Sequence, residues 1–180
     1  MVVNVAYWIS VGIAVLVTFP ALFISQLIDF SFYKDRKDYL TVALPPWLFM
    51  IVWPILYALI SAAEILHFLS FKVTESLTND YIALATIFVV NVAFNHMWSL
   101  LFFGKHNMVA GLIDAILLVI TAVIVQILYA TEDLWVSFWL YLPYTIWLIF
   151  AMCLNIAWIW HEKRMKKHFE RTQEAQKRVF

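Results

Sequence analysis

Five long apolar runs constrain this chain more than any other feature of its sequence. Each run has enough consecutive apolar residues, about 20, to cross the hydrocarbon core of a membrane as a helix. The runs cover residues 5–28, 46–68, 82–103, 108–130 and 134–160. Because hydrocarbon cannot hydrogen-bond a free backbone, a spanning segment of this kind must be helical. The sequence therefore predicts an all-α membrane protein, a bundle of five transmembrane helices.

Composition agrees with a membrane protein and excludes a soluble domain. Of the 180 residues, 64% are hydrophobic and only 13% are charged, which is about half the charged fraction of a typical soluble domain. The N-terminus has neither a basic segment nor a small-residue cleavage site of the kind that marks a signal peptide. We therefore expect the first run to be retained as a membrane helix.

The basic residues lie almost entirely on one side of the predicted membrane. With five spans, eleven of the 12 Lys and Arg fall on the side of the C-terminus and the first loop, and only Lys72 falls on the other. The positive-inside rule then places the C-terminus in the cytosol. We divide the chain into a transmembrane domain, residues 1–161, and a basic cytosolic tail, residues 162–180. The tail is expected to be a helical extension or disordered, and to contact anionic lipid headgroups rather than nucleic acid.

Polar and aromatic residues inside the runs form stripes at helical spacing. In the third run, a stripe at i, i+4, i+7 and i+11 consists of Asn91, Asn95, Trp98 and Phe102. The fifth run aligns Pro143, Trp147, Ala151, Asn155 and Trp158, and the second aligns Trp53 and Tyr57. An amide that faces lipid is costly, so these stripes are expected to face the interior of the bundle.

The inward residues have two interpretations, which can hold at different depths of the bundle. In the first, polar side chains such as Asn91 and Asp114 join neighbouring helices by hydrogen bonds, and Gly111 and Ala115 permit close helix contact. In the second, aromatic rings with a few polar groups line a pocket for a large, flat, apolar ligand. The residues alone do not decide between them.

Residues near the ends of the runs are expected to lie at the membrane interface. The aromatic ones are interpreted as interfacial belts, namely Tyr7, Trp8, Trp135, Trp139, Trp158 and Trp160. Glu64 and His67, three residues apart, are expected at the interface on the lumenal side. His96 could ligate haem iron, but it has no partner at ligand spacing, so an interhelical hydrogen bond is the simpler interpretation. We expect no metal site and no resident cofactor, with porphyrin or haem only as a ligand.

Three segments, in order, carry a resemblance to a known family. They are PPWLFMIVWPILY at residues 45–57, NHMWSLLFFG at 95–104 with Asp114 ten residues later, and LPYTIWLIFAMCLN at 142–155. Together they resemble the translocator-protein family, also called the tryptophan-rich sensory protein or peripheral benzodiazepine receptor family. The resemblance covers the second to the fifth runs.

The resemblance implies a five-helix membrane bundle, often dimeric, with a pocket that opens toward the first loop. Members bind porphyrins such as protoporphyrin IX and haem, and in animals cholesterol or synthetic aromatic ligands. Carried over by position, the pocket residues are Phe49, Trp53, Asn95, Trp98, Trp147, Ala151 and Leu154. Trp53 and Trp147 match tryptophans implicated in light- and oxygen-dependent porphyrin breakdown by some relatives.

Two departures from the family pattern concern the ligand. The first loop, DYLTVALPPW, lacks the family's Lys-Pro-x-Trp segment before Pro-Pro. Ile156 stands where the animal cholesterol motif has a tyrosine, so selective cholesterol binding is not predicted.

The leading hypothesis is a membrane receptor or carrier for a flat hydrophobic ligand, a tetrapyrrole first and a sterol second. Its ring would lie between Trp53, Trp98 and Trp147, with Asn95 and Asn155 orienting polar edges. The alternatives are porphyrin degradation through Trp53 and Trp147, which leaves enzymatic activity open, and a scaffold that binds partner membrane proteins and no ligand. The resemblance favours the mitochondrial outer membrane for a eukaryotic source, with the endoplasmic reticulum or a bacterial envelope as alternatives.

Overall fold

The computed structural model of the protein describes residues 2–27, 44–70 and 79–177, and all regular structure in these ranges is helical. Five α-helices follow one another along the chain: α1 (Val2–Leu27), α2 (Pro46–Ser70), α3 (Asn79–Ser99), α4 (Met108–Thr131) and α5 (Trp135–Lys177). A π-helical turn, Leu100–Gly104, continues α3. The predicted all-α class is confirmed. The first loop, with its departure from the family pattern, lies mostly outside the described residues.

Four of the helices are long and apolar enough to cross a membrane. These segments are Trp47–Ser70, Ile82–Gly104, Met108–Thr131 and Trp135–Glu174. In α1, the described residues contain a shorter apolar segment, Val11–Ala21. Four candidate spans are therefore present, and a fifth crossing by α1 stays a prediction.

Tight turns make α3, α4 and α5 consecutive hairpins, as the short polar breaks predict. Before α4, the Asn107 side chain accepts a hydrogen bond from the Ala110 N–H at 3.0 Å and so caps the helix. Before α5, the Leu134 N–H donates to the Tyr129 carbonyl at 2.8 Å. As a result α4 packs along both α3 and α5, whereas α2 packs mainly against α5 and α1.

Asn91 is the centre of the hydrogen bonds that join α3, α4 and α5. The side chain is fully buried, and its amide nitrogen donates to the Leu118 carbonyl at 2.9 Å and to Thr121 Oγ1 at 2.8 Å. Its oxygen accepts from the hydroxyls of Tyr141 and Tyr144, both at 2.9 Å. The interpretation of Asn91 as an interhelical contact is confirmed.

Glu64 and His67 lie inside the protein and not at its lipid interface, so that expectation is wrong. They are 1% and 2% exposed, and His67 Nδ1 lies 3.1 Å from Glu64 Oε1. The other carboxylate oxygen accepts a hydrogen bond of 2.7 Å from the Tyr129 hydroxyl. A carboxylate can be buried when it accepts hydrogen bonds, and here Tyr129 supplies one from α4.

Three further hydrogen bonds tie the first half of α5 to α2 and α4. The Ser137 hydroxyl donates to the Ala63 carbonyl on α2 at 2.8 Å. Gln126 on α4 donates to the Phe138 carbonyl at 2.6 Å and accepts from the Thr145 hydroxyl at 2.8 Å. These bonds fix the orientation of α5 at its N-terminal half.

The described part of the C-terminal tail is helical. α5 continues without a break to Lys177 over 43 residues, a length of about 64 Å at 1.5 Å per residue. This exceeds the hydrocarbon thickness of about 30 Å, so one part of α5 must project from the membrane or lie outside it. The residues from Lys163 to Glu174 are exposed, as such a projection requires.

Replacing Asn91 by leucine is expected to destabilise the protein by about 2 kcal/mol. The substitution removes four hydrogen bonds between helices, each worth about 0.6 kcal/mol on average inside a membrane, and leaves two tyrosine hydroxyls without their acceptor. The measurement is thermal unfolding in mild detergent. Thr86→Val is the control on the same helix, because its exposed hydroxyl donates only to the Ile82 carbonyl of α3 itself. Equal stability of the two variants would contradict the role given to Asn91.

Candidate functional site

Three tryptophans from three helices meet inside the bundle. The ring centroid of Trp53 on α2 lies 6.5 Å from that of Trp98 on α3 and 6.5 Å from that of Trp147 on α5. Trp98 is 4% exposed, and the other two are partly buried. The indoles therefore converge as the sequence predicts, and Trp53 contacts both of the others.

The π-helical turn adds two phenylalanines to this group. The Lys105 N–H donates to the Leu100 carbonyl at 2.7 Å, an i to i+5 bond that gives the turn one residue more than an α-helical turn. Phe102 and Phe103 are thereby both buried. Phe102 stacks on Trp98 with centroids 5.2 Å apart and planes 13° apart, and Phe103 meets the same indole edge-on at 5.6 Å.

The remaining predicted pocket residues adjoin the tryptophans. Phe49 lies 5.9 Å from both Phe103 and Trp147, measured between ring centroids. With Trp98, Ala151 and Leu154 it lines a small void between α2, α3 and α5. Asn95 is 1% exposed, and its side-chain oxygen accepts a hydrogen bond of 2.9 Å from the Tyr57 hydroxyl. The seven predicted positions thus fall in one region, four around the void and three beside it.

The void itself is far smaller than a tetrapyrrole. Its free volume is about 10 Å³, about enough for one water molecule, whereas ligand pockets have about 300–1,000 Å³. The aromatic rings fill the space on which they converge. A flat ligand can bind here only if α2, α5 or their side chains move apart.

Three N–H donors at this place have no acceptor among the described residues. They are the amide nitrogen of Asn95 and the indole nitrogens of Trp98 and Trp147. A buried donor without a partner costs about 1–3 kcal/mol, so such groups favour any guest that brings acceptors. Three donors in one region distinguish it from the α3–α4 contact around Asn91, where the donors are paired.

Asn155 has a different role from the one expected. With its amide nitrogen toward the Met108 carbonyl, at 3.2 Å, and its oxygen toward the Leu112 N–H, at 3.0 Å, the side chain hydrogen-bonds to the first turn of α4. Gly111 makes this approach possible, since a Cβ there would lie 3.4 Å from both Asn155 and Phe102. Asn155 therefore joins two helices, and it also lines the void, where the second N–H of its amide can still donate.

Trp158 lines the void and does not belong to an interfacial belt. It is 3% exposed and its ring lies 5.7 Å from Phe102, so that interpretation is wrong for this residue. Its position four residues after Leu154 indicates that it faces inward, because residues at this spacing lie on one helix face. Trp8, Trp135, Trp139 and Trp160 are between 51% and 65% exposed, as belt residues require.

His96 lies inside the bundle, close to Tyr57 of α2. It is buried, at 8% exposure, and its ring lies 6.0 Å from Tyr57. Within the described residues, no three His, Cys, Asp or Glu side chains are placed to hold a metal ion. Its Nε2 has no hydrogen-bond partner in the same part of the chain.

The chain is similar to a known family of proteins and to several of its members. The TspO/MBR family matches residues 8–161. The chain is similar to the tryptophan-rich protein TspO of Archaeoglobus fulgidus, with 36% identity over 137 residues, 76% of this chain and 83% of the relative. It is also similar to protein CrtK of Rhodobacter capsulatus, with 32% identity over 119 residues, 64% of this chain and 69% of the relative.

A further relative is the tryptophan-rich protein TspO of Chlorobaculum tepidum, with 32% identity over 115 residues, 63% of this chain and 68% of the relative. The family match takes in every residue of the aromatic region and the apolar part of all five helices. Together with the four candidate spans, these similarities show that the chain is an integral membrane protein that belongs to the TspO/MBR family.

Proposed function

We propose that the protein is a membrane receptor or carrier that binds a flat, largely apolar ligand between α2, α3 and α5. A tetrapyrrole such as protoporphyrin IX is the first candidate and a sterol the second. The observation that carries the proposal is the convergence of Trp53, Trp98 and Trp147 beside three unpaired N–H donors. Broad ring faces suit a planar macrocycle, and the donors suit acceptors at its edge.

Binding exchanges one set of ring contacts for another. In the closed protein Trp53 contacts Tyr57, Trp98 and Trp147 at centroid distances of 5.4, 6.5 and 6.5 Å. Each aromatic pair is worth about 0.5–1.5 kcal/mol beyond area burial, so separating them costs a few kcal/mol. A macrocycle that inserts between the rings restores stacking on both of its faces and buries its own apolar surface, which offsets that cost.

The Trp53→Phe/Trp147→Phe variant is expected to bind protoporphyrin IX about tenfold more weakly than the parent chain. The change removes ring area and one unpaired donor, which is on the order of 1.4 kcal/mol. The measurement is a titration followed by porphyrin absorbance, because tryptophan emission changes when tryptophans are removed. Trp135→Phe/Trp139→Phe is the matched control, since these two indoles are 51% and 63% exposed. Unchanged affinity in the first variant would count against the pocket.

The donors predict selectivity for ligands that carry acceptors. Protoporphyrin IX, with two carboxyl groups, is expected to bind about tenfold more tightly than etioporphyrin, whose edge carries only alkyl groups, because the latter leaves the donors unpaired. In the Asn95→Ala variant this ratio should fall. A ratio near one in the parent chain would show that the donors do not contact the ligand, while leaving the aromatic contacts untouched.

Porphyrin degradation in light is the second candidate function. The observation that favours it is the direct contact of Trp53 with Trp147, at 6.5 Å between centroids, which would place a bound pigment against two oxidisable indoles. Under this candidate, illumination in air should bleach bound protoporphyrin IX several-fold faster than free pigment. The Trp53→Phe/Trp147→Phe variant, loaded at saturating pigment, should lose this excess. If bound pigment persists in light while the affinity is normal, degradation is ruled out and the proposed function is binding only.

A further inference from the structure

A second cleft lies at the end of the bundle where α3 turns into α4. It has a volume of about 480 Å³ and is open to the outside. The turn between the helices forms one wall with Lys105 and His106, and α5 forms the other with Glu162, Lys163 and Lys166. None of these residues belongs to the aromatic region described above.

The charge balance of the cleft is positive. Lys166 and Glu162 form an ion pair with an N to O distance of 3.4 Å, so their charges largely cancel. Lys105 and Lys163 also line the cleft, are exposed, and make no ion pair with any residue of the described ranges. The N-terminal end of α4 begins at Met108 in the same wall and adds the positive end of a helix dipole. The cleft therefore attracts anions.

The position of the cleft along α5 corresponds to a membrane surface. The apolar part of the helix ends with Ile159, which lines the cleft, and Trp160, and the polar residues begin at His161. The Trp160 side chain is 65% exposed, and the guanidinium carbon of Arg164 lies 5.7 Å from its ring centroid. An exposed tryptophan with a cation over its ring is typical of the lipid headgroup region. The cleft then opens among headgroups.

An apolar surface leads away from the cleft toward the membrane interior. Val109 lines the cleft and is 57% exposed, and Ile113, one helical turn further along α4, is 59% exposed. This surface continues through Ile116 and Ile120, which are also exposed. A phospholipid whose phosphate lies in the cleft would thus place its acyl chains against an apolar helix face. A free phosphate ion has no acyl chains and cannot make this contact.

We propose that this cleft binds the phosphate group of an anionic phospholipid, with Lys105 and Lys163 contacting the phosphate oxygens. The acyl chains would lie along the exposed face of α4 that begins at Val109. The positive-inside rule places this end of the chain in the cytosol, and the cytosolic leaflet is the one rich in anionic lipids. The inference does not depend on the aromatic region or on its ligand.

The test is a titration of the full chain in mild detergent with a fluorescent phosphatidylglycerol. The Lys105→Gln/Lys163→Gln variant is expected to bind about tenfold more weakly or worse, since each lysine near a membrane surface contributes about fivefold. Lys167→Gln/Arg171→Gln makes the same change of charge on the exposed helix beyond the cleft, and its affinity should change less than threefold. Lys163→Arg, which keeps the charge, should retain the parent affinity.

Four outcomes would overturn the proposal. Equal losses in the two double variants would show diffuse attraction to the basic tail, and no loss in either would show that the cleft is not used. Phosphatidylcholine binding as tightly as phosphatidylglycerol would remove the role of net charge. The last measurement uses inorganic phosphate as a competitor of the fluorescent lipid. If it displaces this lipid at the same concentration as unlabelled phosphatidylglycerol does, the site binds a free ion and the acyl contacts are irrelevant. Porphyrin affinity, measured in parallel, should be the same in all variants.

Discussion

The fold depends on pairing polar side chains with one another inside a bundle that crosses the apolar interior of a membrane. In a bundle whose helices are apolar on almost every side, burial of apolar area cannot select one arrangement, because lipid is as apolar as the helix faces. Hydrogen bonds do select one. Asn91 can satisfy its whole amide only when α3, α4 and α5 stand in this register, and Glu64 has its bond to Tyr129 only when α2 closes on α4. These side chains make one packing better than its competitors.

The same constraint separates the bundle into two layers. Asn91 and Glu64 are hydrogen-bonded between helices in the first layer, whereas in the second the N–H donors of Asn95, Trp98 and Trp147 have no acceptor among the described residues. The first layer is stable as it stands. The second is held mainly by contacts between aromatic rings, each worth about 0.5–1.5 kcal/mol beyond area burial. The layer that offers donors to a ligand is therefore the one in which rings, and not hydrogen bonds, make most of the contacts between helices.

The sequence predicts where the helices lie and which residues converge between α2, α3 and α5. It does not predict that aromatic side chains fill the space between those residues. Run length and hydropathy predict the bounds of the apolar helices to within a few residues, because membrane thickness sets the length of a span. The exception is the end of α5, which continues past its apolar run to Lys177. Asn95 and Trp98 are predicted to face inward because residues three or four apart lie on the same face of a helix. The sequence could not show the π-helical turn that buries Phe102 and Phe103 together, since no residue type marks such a turn. It also assigned Glu64, His67 and Trp158 to the interface, because position near the end of a run does not reveal a partner on another helix such as Tyr129 or Phe102.

α5 contributes residues both to the aromatic region and to the basic cleft. Trp147, Leu154 and Trp158 face the aromatic region, and Ile159 to Lys166, directly after it, form one wall of the basic cleft. Asn155 anchors this part of α5 to the first turn of α4, and that turn forms the other end of the same cleft. A displacement of α5 that widens the space around Trp98 must therefore alter the distance between Lys163 and Lys105, unless the helix bends between Trp158 and Glu162. The two ends of this segment lie on one continuous helix, so the aromatic region and the basic cleft share a structural element.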